Sequence, residues 1–450
     1  MTRNDARKSF FGIENVPTTA ITMGIRTIRK SKRIVLMAWG NNKSSVVQKA
    51  IEDEIDSNIS ASYLQNHKNV TFVLDNAASE NLTRIRTPWK TGYSDWNDEL
   101  KAKAVAWLCE ITNKSILNLT ESDYNENNLS ELLIESSYYD LNLDFYKKIH
   151  RSITGWPGGK PDSDDKVRPE RSEPPRKRVL IFSPHPDDDV ISMGGTFDRL
   201  VSQGHEVHVA YQTSGNIAVS NSDVLKFLEV INSTFPDCKC ENDELIELLK
   251  NNIDIINHSR VREIAGTIRE KESLAATRFI GIPDNQVHFL NLPFYETGTV
   301  SKNPISRNDI EITKNLIKKI KPHQIYAAGD LADPHGTHRV CLEIIFKAIK
   351  SLKKEPFMKD CWVWLYRGAW HEWETYEIDM AVPMSPDQVL RKRNAIFFHQ
   401  SQKDGVMYQG NDQREFWVRA EQRNAETAKK YRNLGLSDYE AIEAFKRYHF

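Results

Sequence analysis

Nothing in the 450-residue chain approaches the ~18 consecutive apolar residues of a membrane-crossing helix, so no membrane span is expected. Cysteine is scarce: five residues, an odd number, widely spread. Cys238 and Cys240 lie close, but nothing completes a four-cysteine metal site, and a disulfide framework is equally unsupported. A reducing cytoplasm is the simplest compartment for such a chain. Neither charge sign dominates, with 61 Lys and Arg against 62 Asp and Glu. That balance gives no support for a nucleic-acid surface. Residues 1–10 carry charge with no apolar segment behind them, so a secretory signal is not expected. A complete Gly-rich nucleotide loop is missing as well. What is present is 39% apolar and 27% charged residues, the composition of a soluble globular protein. The length exceeds one ordinary core and calls for two or three domains.

The most informative stretch is residues 178–195. Val179, Leu180, Ile181 and Phe182 form an unbroken apolar run, as in a parallel strand buried on both faces. Ser183, Pro184 and Pro186 stop it. His185, Asp187, Asp188 and Asp189 then crowd four ionisable groups into five residues at the carboxyl end of that strand. Open α/β sheets place their ligands at such ends. Crowded carboxylates are costly unless a cation or proton offsets them. Gly194 and Gly195 permit close packing where a helix begins, and Val207–Tyr211 reads as the next strand, which makes a βαβ unit.

A second polar cluster stands at the end of the strand Gln324–Ala328. There Asp333, His335 and His338 follow within eleven residues of the strand, and two histidines three apart can face one site. One carboxylate and two imidazoles plus water make a reasonable catalytic zinc set. Trp362, Trp364 and Tyr366 alternate as in a strand with one packed face, read as an edge strand. Residues 412–445 look charged and helical, an extension over the domain.

Together these motifs resemble the PIG-L/LmbE family of zinc-dependent N-acetylglucosaminyl deacetylases over about residues 176–405. Pro184-His185-Pro186-Asp187-Asp188 corresponds to its first motif and Asp333-Pro334-His335-Gly336-Thr337-His338 to its second. Arg260 or Arg262 with Glu263 resembles its Arg/Glu helix, and His399-Gln400-Ser401-Gln402 its late signature. Asp189, Gly336-Thr337 and Pro293-Phe294-Tyr295-Glu296 depart from the common form. The resemblance implies that His185, Asp188 and His338 ligate Zn2+, or another divalent transition metal, and leave a water position. It implies Asp187 as general base, and His335 as the imidazolium that stabilises the oxyanion or protonates the leaving amine. Arg260 and Arg262 would hold sugar hydroxyls or a phosphate. The implied partner is a small N-acetylated amino sugar or conjugate; homo-oligomer formation is left open.

The N-terminal stretch resembles the last third of glucosamine-6-phosphate deaminase. The residues that carry the likeness are Pro17–Ile25, Gly40-Asn41-Asn42-Lys43 and Ser60–Gln65. By spacing, a strand Ile34–Ala38, the Gly40–Lys43 turn and a helix from Ser44 make a plausible phosphate site; the resemblance places the phosphate on Lys43. That family's catalytic Asp and Asp-Gly-His segment have no counterpart here and would precede Met1. The expected fold class is α/β: a Rossmann-like, mainly parallel deacetylase sheet with helices on both faces, plus a truncated α/β N-terminal segment. The expected domains are 1–89, a helical connector and Pro/Gly-rich linker over 90–174, and 175–450.

Overall fold

The computed structural model describes residues 16–40, 43–160, 173–235, 239–251, 258–299, 301–329, 336–368, 371–403 and 414–450. The chain divides into two units, Met1–Tyr146 with Gly410–Asp412, and Lys147–Gln409 with Gln413–Phe450.

In the first unit β1 (Ile34–Ala38) and β2 (Val70–Leu74) pair in parallel, Ile34 beside Val70 and Ala38 beside Leu74. The helix α1 (Ser44–Ile51) connects them and buries Val47 and Ala50. Both strands and the helix start fall where the apolar runs and the Gly-containing turn place them. Further on, α2 (Asp98–Thr112) starts at Asn97, whose side chain accepts from the Leu100 amide. Its Ala104, Val105 and Leu108 are buried. The helix α3 (Tyr138–Ser152) contains the boundary between the two units.

The second unit is built on a seven-stranded sheet. Its strands are β3 (Arg178–Ser183), β4 (Glu206–Tyr211), β5 (Val287–Phe289), β6 (Gln324–Ala328), β7 (Trp362–Tyr366), β8 (Met380–Met384) and β9 (Ala441–Tyr448), in the order β5-β4-β3-β6-β7-β9-β8. Strands β3 to β7 pair in parallel, and β9 runs antiparallel to both its neighbours. The helices α4 (Asp188–Ser202), α5 (Asn221–Thr234), α6 (Lys239–Lys250), α7 (Ser259–Ile280), α8 (Arg307–Ile320), α9 (Thr337–Leu352), α10 (Pro386–Ile396) and α11 (Phe416–Asn433) complete the unit. It is the mainly parallel α/β architecture expected from the alternating strand and helix signals.

Val179, Leu180, Ile181 and Phe182 are all fully excluded from solvent. Each contributes about 1.5–3 kcal/mol by burial, which explains why this run forms the sheet's middle. After β3 the chain builds β4 and β5 on one side, then returns to β6 on the other. The carboxyl ends of β3 and β6 therefore flank a topological switch point, the crevice where such sheets bind ligands.

Three expectations are corrected. The segment expected to continue as a helical extension contains α11 and then β9, a strand inside the main sheet. Its charged Glu443 masks the strand pattern, yet that side chain is fully buried by a local partner set. And β7 is no edge strand: it lies between β6 and β9 and is paired along both edges. The glycine pair sits within α4 instead of at its start. A Cβ on Gly195 would fall 2.1 Å from Met384 Sδ, so only glycine lets α4 lie this close to β8.

Candidate active site

The turn after β3 leads directly into α4, and Asp187 occupies the boundary with φ of 128°. Such a conformation is costly for a residue with a Cβ and persists only where surrounding contacts impose it. Those contacts are visible. Ser183 Oγ donates to the His185 carbonyl at 2.6 Å, and the His185 amide donates to Asp188 Oδ2 at 2.9 Å. Asp189 turns inward: its amide donates to Ser183 Oγ at 3.1 Å, and Tyr211 Oη donates to its Oδ2 at 2.9 Å. Asp189 thus ties the turn to β3 and β4, and burial pushes its carboxyl up to about 6.

On the other side of the crevice, Gly336 in the left-handed conformation opens α9, and His338 lies in its first turn, buried. His338 Nε2 is 3.1 Å from Asp188 Oδ2 and 3.3 Å from His185 Nδ1, and His185 Nδ1 is 3.2 Å from the same carboxylate oxygen. Around a tetrahedral zinc with bonds of about 2.0–2.1 Å, neighbouring ligand atoms stand roughly 3.3 Å apart. The three atoms fit one triangular face of that coordination shell. Among the described residues they are the one His/Cys/Asp/Glu group with spacing able to hold a metal ion. Burial raises the cost of charging Asp188, but the two imidazoles outweigh it and hold the carboxyl well below its ordinary range.

Asp187 points to a different partner. Its Oδ1 lies 3.2 Å from Arg269 Nη2, and both side chains are buried. The same guanidinium donates to the Pro186 carbonyl. Burial pushes the Asp187 carboxyl upward; Arg269 opposes that shift, and the neighbouring carboxylates reinforce it. One turn further along α7, Glu272 accepts from the Ser401 amide and hydroxyl, both at 2.7 Å. The late His-Gln-Ser-Gln signature is thereby fastened to the helix that carries Arg269. His399 is fully buried, and burial followed by the charge of Arg269 pushes it down to about 3.

Beside Pro186 opens a cleft of about 370 Å³, lined by Asn216, Arg262, Glu263, Asn291 and Glu296 among others. Glu296 accepts from the Ser214 amide at 2.8 Å and from Asn216 Nδ2 at 3.2 Å, which fixes the cleft floor. The structure therefore brings His185, Asp187, Asp188 and His338 together and places Arg262 on the adjoining cleft. Arg260 instead reaches Asn242 at 3.4 Å. His335 and Asp333 lie outside the described residues. Lys43 belongs to the other unit, at the start of α1. There the Gly40 amide already donates to the Asp75 carboxylate, at 3.1 Å to Oδ1.

Arg269 and Glu272 escaped the reading of the sequence. Arg269 stands seven positions after Arg262, two turns on along the same helix face. It also adjoins the buried stripe Val261, Ala265, Ile268, Ala276. An arginine on an apolar stripe is the signal that could have found it, because a buried guanidinium requires a partner.

The crevice lies within a PIG-L domain. The family model PIG-L, described as GlcNAc-PI de-N-acetylase, matches residues 180–349. Over 459 aligned residues the chain is 51% identical to a putative glucosamine-6-phosphate deaminase-like protein of Bacteroides thetaiotaomicron, covering 99% of this chain and 69% of that protein. The chain belongs to the family of that Bacteroides protein and carries the PIG-L domain within it. A glucosamine-6-phosphate deaminase of Listeria welshimeri is 46% identical over 76 residues, 17% of this chain and 32% of that enzyme. The chain thus spans about a third of the deaminases it matches. The N,N'-diacetylchitobiose deacetylase of Pyrococcus horikoshii resembles it with a TM-score of 0.40 at 18% identity, over 60% of this chain and 84% of that one. The PIG-L match supports a hydrolytic deacetylase. No helix among the described residues is long and apolar enough to cross a membrane.

Proposed function

We propose that the protein hydrolyses the N-acetyl amide of an amino sugar or its conjugate, in a metal-dependent reaction that releases acetate. The observation that carries this reading is the triangle of His185, Asp188 and His338 at the switch point, with donor spacings of 3.1–3.3 Å. Zinc held there would polarise the amide carbonyl and acidify a bound water. Asp187, next to that triangle but ion-paired away from it, takes the proton of the attacking water. Arg269 holds its carboxylate in place and favours the charged form against burial. His335 is assigned the oxyanion or leaving-amine role that the motif implies. Arg262 and Glu296 in the adjoining cleft orient sugar hydroxyls. We further propose that Arg260 and Lys43 bind sugar hydroxyls or a phosphate, and that the domains run over 1–89, 90–174 and 175–450. The buried free thiols of Cys109, Cys341 and Cys361 suit a reducing cytoplasm.

The test joins metal analysis to amine release from a panel of N-acetylated amino sugars. Asp188→Ala is expected to lose metal and turnover together. Asp187→Asn is expected to keep metal and lose turnover by at least ~10²-fold, the scale of general-base catalysis. Full turnover in Asp187→Asn, or a wild-type protein that binds no metal, sinks the mechanism. The names of the relatives favour a second reading, deamination of glucosamine-6-phosphate; robust ammonia release from that substrate would establish it.

A further inference from the structure

Besides the cleft next to Pro186, the turn after β3 borders a second and much smaller space. Asp187 and Ile191 line one side of it, Ile396 and Phe397 at the end of α10 another, and His399 and Trp417 a third. Its volume is about 10 Å³, close to the ~10–15 Å³ that one water-sized group requires. Ile191, Ile396, Phe397 and Trp417 make its walls mainly apolar. A space of this size and character admits a single methyl-sized group and nothing longer.

The apolar wall is held in place from outside. Phe397 and Trp417 meet edge to face, with ring centroids 5.7 Å apart at 89°. The Arg393 guanidinium lies over the Trp417 ring at 4.8 Å and is itself paired with Glu421 through bonds of 2.6 and 2.7 Å. Trp417 Nε1 donates to Glu415 Oε2 at 2.6 Å. A ring stacked and anchored in this way yields little to a larger occupant. His399 is the polar member of the same wall. It is 2% exposed, and neither ring nitrogen has a hydrogen-bond partner. Buried polar side chains are nearly always hydrogen-bonded, and a neutral imidazole has one nitrogen that donates and one that accepts. Burial and the charge of Arg269 keep this ring neutral against the pull of Asp188.

An acetamido group has the two halves that such a wall accommodates: a methyl without polar atoms and a carbonyl oxygen that accepts a hydrogen bond. General-base attack also fixes where the acyl carbon stands. The water that Asp187 deprotonates is within hydrogen-bond reach of the carboxylate and in contact with that carbon. The acyl substituent therefore lies beside Asp187, on which this space borders. We propose that the space bounded by Phe397, His399 and Trp417 is the acyl subsite, that it takes the acetyl methyl and rejects longer acyl chains, and that His399 donates to the acyl oxygen. Phe397 and Trp417 then set the acyl length, given the deacetylase reading on which this subsite rests.

The test measures amine release from glucosamine bearing N-acetyl, N-propionyl or N-butyryl groups. For the parent protein kcat/KM is expected to fall at least ~10-fold with each added methylene, the scale on which an apolar pocket discriminates. Trp417→Ala, with Trp417→Leu as the milder change should the first not fold, is expected to raise the butyryl-to-acetyl ratio at least ~10-fold. His399→Leu is expected to keep its metal and lose kcat by ~10²-fold, as when one donor to a developing oxyanion is removed. A further measurement needs no turnover. The imidazole proton NMR signal of His399, assigned by its absence in His399→Leu, is followed on addition of acetamide and of butyramide. Acetamide is expected to shift it in the parent, and butyramide only in the Trp417 variant. Equal hydrolysis of the three acyl groups, an unchanged length profile in both Trp417 variants, or a His399 signal blind to acetamide overturns the proposal. Should none of the three substrates release an amine, the deacetylase reading fails, and the acetamide response alone decides whether the space is an acyl-amide site.

Discussion

At the scale of single residues, the site rests on two aspartates adjacent in sequence and opposite in circumstance. Asp188 faces two imidazoles; Asp187 faces a guanidinium and is otherwise wrapped in protein. Their divergence comes from the turn, which sends consecutive side chains in different directions at the φ of 128° on Asp187. Removing Arg269 leaves Asp187 and its neighbouring carboxylates without that charge. Arg269→Ala is therefore expected to destabilise the protein by about 3 kcal/mol or more, the usual penalty for breaking a buried pair on one side. Denaturant unfolding of the metal-free protein measures it, and a change below about 1 kcal/mol would show that the pair is energetically idle. The histidine and aspartate cluster was legible because its residues are local in sequence or sit at strand ends, which apolar runs mark clearly. Arg269 was not legible in the same way. Its role depends on the rotation of α7 about its axis, and the nearer Arg260 and Arg262 carry the same chemistry in one dimension.

At the scale of elements, the support behind the site is a buried ion pair. Lys392 of α10 donates to Glu443 of β9 at 2.7 Å and to Asn424 of α11 at 2.8 Å. Glu443 also accepts the Gly195 and Thr196 amides of α4, at 3.0 and 2.6 Å. Met193, just before these amides, leaves helical geometry, which frees them for the carboxylate. Four elements thus meet at one ion pair, and the strand β9 was invisible in sequence because this charged residue interrupts its apolar start. Lys392→Met is expected to cost about 3–5 kcal/mol, since Glu443 is left buried and unpaired. Lys392→Met combined with Glu443→Gln should recover much of that loss; equal instability of single and double variants would deny the coupling. The opposite end of the sheet carries a pH-sensitive seam. The Lys177 and Arg178 amides donate to Nδ1 of His205 and His323, at 3.1 and 2.9 Å. Burial, with nearby cations, pushes both imidazoles down to about 4. The unfolded chain, with histidines near 6.5, then binds more protons than the folded one between pH 6.5 and 4. The contribution of these histidines to stability is complete above pH 6.5 and falls as the pH drops towards 4. Unfolding midpoints at pH 7, 6 and 5 should show that slope, and His205→Asn with His323→Asn should flatten it. A double variant with the parent's slope would assign the acid sensitivity elsewhere.

At the scale of the whole molecule, the candidate metal triangle joins positions 185 and 188 to position 338, 153 residues beyond His185 in the chain but at a neighbouring strand end. The parallel order of β3 and β6 accomplishes this, and the sequence disclosed it through the recurrence of a polar cluster after each strand. What composition could not disclose was the order of strands β7, β9 and β8, because antiparallel closure by a distant C-terminal strand leaves no local mark. The consequence for stability is direct. A ligand that binds the folded arrangement and not the unfolded chain stabilises by its free concentration relative to its dissociation constant, about 2.7 kcal/mol at a hundredfold excess. The triangle exists only when the β3 turn and the first turn of α9 are both in place, so zinc is expected to raise the thermal midpoint of the second unit. Chelation should return it, and the response should be absent in His338→Ala. Thermal scans of chelated, zinc-loaded and variant protein at one concentration decide the point, with hydrogen exchange at residues 185–190 and 337–341 locating the effect. A zinc-induced rise that persists in both Asp188→Ala and His338→Ala would place the metal outside this triangle, and the proposed chemistry would lose its footing with it.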